Sequence, residues 1–118
     1  MPYSASKAAL ERLTAGLALE LAPHRIRVNA VSPGFAPGSV VSPLSPAYVE
    51  AMLARIPLGR ASGPDDAPNA ILFLCSPQAS FITGATLAVD GGNAPRHRRP
   101  DRGRGGRRAG RAAVGPVS

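Results

Sequence analysis

The chain has 118 residues, a net charge of +7 and a single cysteine, Cys75. That length suits one small domain with a modest core, and one cysteine excludes an intramolecular disulfide framework and favours a reducing, cytoplasmic setting. The charge is unevenly placed. Residues 1–95 carry six basic and six acidic side chains, so the whole excess comes from the Arg- and Gly-rich stretch 96–118. A basic tail of this kind shifts the isoelectric point without touching any site in the body of the protein. No apolar run approaches the length of a membrane span, and no basic segment followed by an apolar stretch opens the chain.

In chain order, Ser4 to Ala22 contains no breaker except Gly16, and Leu10, Leu13, Leu17 and Leu21 recur at three- and four-residue spacing. The pattern predicts an amphipathic helix ended by Pro23. Ile26 to Val31 follows as a short β-branched run stopped by Ser32-Pro33-Gly34, the signature of a strand. Four residues, Pro37, Gly38, Pro43 and Pro46, make Phe35 to Pro46 a loop, after which a short helix fits Ala47 to Arg55.

Gly63-Pro64-Asp65-Asp66 then opens a helix running to Cys75, because proline suits the first helical position and the acids complement the helix dipole. Pro68 is expected to kink the first turn, and Cys75 to be buried in an apolar run. Thr86 to Val89, closed by Asp90-Gly91-Gly92, is the last strand. Two strands joined through helices form a βαβ unit of a parallel sheet, and two strands alone do not make a complete one. The expected organisation is an α/β body over 1–95 and a disordered tail over 96–118 whose composition cannot sustain a core.

Chemistry concentrates at the amino terminus. Tyr3 and Lys7 lie four apart on the first helix and so share a face. An ammonium beside a phenol favours the phenolate, which lets a tyrosine exchange a proton with a carbonyl or alcohol oxygen near neutral pH. The spacing alone occurs often by chance. Its surroundings are more specific: Tyr3-Ser4-Ala5-Ser6-Lys7, Ile26-Arg27-Val28-Asn29-Ala30-Val31-Ser32-Pro33-Gly34, Ile56-Pro57-Leu58-Gly59-Arg60, Phe81-Ile82-Thr83-Gly84 and Val89-Asp90-Gly91-Gly92 follow one another in order. From Pro2 to about Asn93 the chain resembles the carboxy-terminal portion of the classical short-chain dehydrogenases/reductases.

The resemblance implies the carboxy-terminal part of a Rossmann-like, doubly wound parallel sheet. It also implies an oxidoreductase moving a hydride between NAD or NADP and a small carbonyl or alcohol substrate. In that reading Tyr3 is the proton donor or acceptor. Lys7 lowers its pKa and binds the ribose beside the nicotinamide, and Pro33, Gly34 and Ala36 lie along the cofactor. Gly38 stands where the family often has a threonine. The Gly-rich phosphate loop, the adenine-ribose selector, the Asn-Ala-Gly segment and the serine preceding the tyrosine do not occur in these residues. The chain is therefore expected to be a fragment, inactive alone, that forms homo-oligomers or pairs with a complete family subunit. A metal site is not expected, since His24 lacks cysteine or histidine partners. Nucleic acid is not an expected partner, because the tail lacks aromatic residues for base stacking. Asn29 is expected to bond backbone, and Arg60 and Asp90 to form structural ion pairs.

Overall fold

A computed structural model describes residues 2–39 and 43–93, and the side chains of residues 2–4 and 39 lie outside that description. The tail expected at 96–118 also lies outside the described residues. The elements are α1 (Pro2–Leu21), β1 (Ala30–Pro33), α2 (Pro46–Leu53), α3 (Asp66–Cys75) and β2 (Thr86–Val89), with short 3-10 turns at Ala22–His24, Pro37–Ser39 and Pro77–Ala79. The architecture is α/β, with one two-stranded parallel sheet among the described residues, as a part of a Rossmann-like fold should have.

Helix α1 ends through its backbone. Arg25 adopts the left-handed conformation at φ 58°, and its N–H reaches the Ala22 carbonyl at 2.9 Å. The Ile26 N–H extends back to the Leu21 carbonyl at 3.3 Å, a closure that satisfies carbonyls a helix end would otherwise strand.

The sheet pairs Ala30 with Thr86, Val31 with Leu87, Ser32 with Ala88 and Pro33 with Val89. The first strand thus begins four residues later than the β-branched run predicts. Its upstream part, residues 26–29, is held by other means. The Val28 N–H donates to Thr83 Oγ1 at 3.1 Å, Val28 accepts from the Gly84 N–H at 2.7 Å, and the Asn29 amide bridges the Ile82 carbonyl and the Ala85 N–H. Gly84, at φ 76°, turns the opposing chain just before β2, so a regular ladder can start only at Ala30. Asn29 binds backbone as expected.

Pro33 sits in β1 without cost to the sheet. Ala30 donates to the Ala85 carbonyl and Gly34 to the Val89 carbonyl, both at 2.9 Å. Strand alternation then turns residue 33 the other way, so the donor that proline lacks is one the ladder never uses. Gly34 is required for a different reason. A Cβ there would lie 2.6 Å from the Asp90 Cα, so the chain leaving β1 passes against the backbone leaving β2.

Two expectations for α3 change. The helix starts at Asp66 rather than at Pro64, which places Pro68 third in the helix. An N–H in the first turn has no intrahelical acceptor, so Pro68 removes nothing and the expected kink has no cause. Cys75 is exposed, not buried: it ends the helix, one residue past the buried Leu74.

The core is small. The buried apolar residues among those described are Ala18, Ile56, Leu74 and Ala79. On α1 the buried positions are Thr14 and Ala18, not the leucine stripe; Leu10 and Leu13 are 51% and 58% exposed. The helix meets the rest of the chain where a Cβ on Gly84 would lie 3.4 Å from the Ala18 Cβ, a close approach that selects small residues. Thr14 satisfies its hydroxyl on the Leu10 carbonyl at 2.8 Å.

Candidate active site

Parallel strands end together, and here both reach the same edge, at Pro33 and Val89. Ligands of open parallel sheets bind beyond such carboxyl ends. Helix α1 carries Tyr3 in its first turn and Lys7 one turn later. The Tyr3 side chain lies outside the described residues.

Lys7 is half-buried and lines a cleft of about 270 Å³ between α1 and β1, with Leu10 and Glu11 on the helix side and Val31, Ser32 and Pro33 on the strand side. Two of the expected site residues, Lys7 and Pro33, therefore share one wall-to-wall space. Gly34 does not join them there. It lines a separate cavity of about 410 Å³ with Phe35, Arg60, Ser62, Asp66 and Asp90. Ala36 lines neither cavity, and Gly38 is exposed in the 3-10 turn that follows.

Sequence reading missed Ser32 and Glu11 as cleft residues. Ser32 is buried at the strand end beside Pro33, and its position in the Ser-Pro-Gly stop was the available signal. Glu11 follows Lys7 by one helical turn, the spacing that already placed Lys7 near Tyr3.

The larger cavity is organised by one ion pair. Asp66 accepts from the Arg60 guanidinium at 2.7 Å and from the Gly63 N–H at 2.7 Å. The Arg60 hydrogen bond, then the Gly63 N–H, hold its carboxyl well below the usual carboxylate range, at about 2. Arg60 is thus paired as expected. Asp90 is not its counterpart: its carboxylate accepts from the Gly92 N–H at 3.0 Å and tightens the turn after β2. The loop beneath is fixed by backbone bonds from Leu58 N–H to the Gly91 carbonyl and from Ser62 N–H to the Phe35 carbonyl. Beyond Phe35, the ring of Tyr48 on α2 meets that of Phe35 edge-on, with centroids 6.3 Å apart. His24 is exposed, and no group of three or more potential metal ligands occurs among the described residues.

A family model described as Enoyl-(Acyl carrier protein) reductase matches residues 1–94. The chain belongs to the short-chain dehydrogenase/reductase family. It is 49% identical over 89 residues to a 3alpha-hydroxysteroid dehydrogenase of Mediterraneibacter gnavus, covering 75% of this chain and 36% of that protein. It is 52% identical over 91 residues to a cis-4-hydroxycyclohexanecarboxylate dehydrogenase of Sinomonas cyclohexanicum, covering 76% of this chain and 36% of that protein. A 3-oxoacyl-[acyl-carrier-protein] reductase of Aquifex aeolicus is 46% identical over 90 residues, covering 76% of this chain and 36% of that protein. The chain spans little more than a third of the length of these family relatives. Among the described residues, no helix is long and apolar enough to cross a membrane.

Proposed function

We propose that the chain carries the proton-transfer part of an NAD(P)-dependent oxidoreductase whose substrate presents a carbonyl or alcohol. The observation that carries this reading is the cleft between α1 and β1, where Lys7, one turn beyond Tyr3, faces the carboxyl end of the sheet beside Ser32 and Pro33. In this reading Tyr3 gives a proton to, or takes one from, the substrate oxygen. The Lys7 ammonium favours the phenolate and donates hydrogen bonds to ribose hydroxyls. The names of the family relatives, a hydroxysteroid and a hydroxycyclohexanecarboxylate dehydrogenase and an oxoacyl reductase, support a hydroxyl or oxo group as the reacting function.

The cleft tests the fit of the cofactor. At about 270 Å³ it falls below the roughly 300–1,000 Å³ of a site that encloses a drug-sized ligand. It suits the nicotinamide riboside end, held by Tyr3 and Lys7 with Pro33 at the strand exit, while Gly34 and Ala36, proposed to lie further along the cofactor, stand outside this cleft. When bound, the nicotinamide supplies or accepts the hydride. These residues include no Gly-rich loop for the pyrophosphate, so the chain by itself is proposed to be inactive.

Two measurements test the reading. Titrating the chain into NADH and NADPH while following nicotinamide fluorescence is expected to show no saturable enhancement; saturation at micromolar protein would overturn the proposed inactivity. A chimaera in which residues 1–93 replace the equivalent part of an active family relative tests the roles. There Tyr3→Phe is expected to lower turnover by about 10²–10⁴-fold while the cofactor Kd stays nearly unchanged, and Lys7→Ala to weaken both. Turnover that survives Tyr3→Phe would remove the tyrosine from the chemistry.

A second reading, a non-catalytic module that pairs with a complete family subunit or with its own copies, is favoured by the exposure of Leu10, Leu13 and Phe81. Retention of a complete family member through affinity purification separates it from the first. We propose the cytoplasm as the compartment, since the exposed thiol of Cys75 suits a reducing environment.

A further inference from the structure

We draw no further inference here: the strongest candidate, the outer edge of β1 where the clefts beneath α1 and α3 meet at Val31, is an unpartnered surface for which nothing in the structure shows what covers it.

Discussion

The two ends of the described chain are held in different ways. Around the carboxyl edge of the sheet, chain segments are locked together by backbone: Gly34 on Val89, Leu58 on Gly91 and Ser62 on Phe35, with the Asp66 carboxylate clamping Arg60 and Gly63. Helix α1, which carries Tyr3 and Lys7, rests on the Gly84 turn through small residues and leaves Leu10, Leu13 and Leu19 largely uncovered. The residues proposed to do chemistry thus stand on the less enclosed element. The region built to a close tolerance is the loop system beside them. Helix α1 therefore draws little of its position from the packing of these residues, whereas the sheet edge is fixed by its own backbone.

The largest test of this contrast is one substitution made in both regions. Gly34→Ala places a methyl 2.6 Å from the Asp90 Cα, where backbone must move, and is expected to cost about 3 kcal/mol. Gly16→Ala, in the middle of α1 with nothing nearby to strike, is expected to gain about 0.5–1 kcal/mol from helix propensity. Urea unfolding followed by circular dichroism measures both. Equal effects would mean that the two regions are packed alike.

A smaller loss is expected at the junction between them. Asn29→Ala takes the acceptor from the Ala85 N–H and leaves the Ile82 carbonyl only its longer bond from Arg27 at 3.2 Å, at a cost of about 1–3 kcal/mol in the same assay. Leu13→Gln on the uncovered face of α1 should change stability by no more than about 0.5 kcal/mol. If Leu13→Gln costs as much as Asn29→Ala, the leucine face of α1 is covered in solution.

The smallest effect is pH-dependent. The Asp66 carboxyl titrates near 2 in the folded protein, below its ordinary value of 3.8. Its pairing therefore adds stability that is fully present above about pH 4 and is lost as pH falls toward 2. Comparing the chain with Asp66→Asn across pH 5 to 2 should show their stability difference shrinking over that window. A difference that stays constant would mean that Asp66 is not clamped by Arg60. Because the pair is partly exposed, added salt should diminish the difference at pH 5.

Local rules read well wherever a residue acts on its own neighbours. The sequence alone determined that α1 ends near Pro23, that Thr86 to Val89 is a strand, that two parallel strands enclose helices, and which family the chain resembles. Each follows from short-range pattern or from ordered motifs. Tertiary structure decided the rest. The strand at Ile26–Val31 slides to Ala30–Pro33 because Gly84 and Asn29 take the upstream backbone, a bargain between residues more than fifty apart. Pro68 proves harmless because the helix begins at Asp66, where its missing donor would have had no acceptor. The leucine stripe of α1 predicts a buried face, yet Thr14 and Ala18 are buried instead, since periodicity shows which face is apolar and only packing determines what covers it. For the same reason Lys7 and Pro33 could be named from sequence, but their meeting across one cleft, with Gly34 diverted to another, depends on where β1 stops against β2.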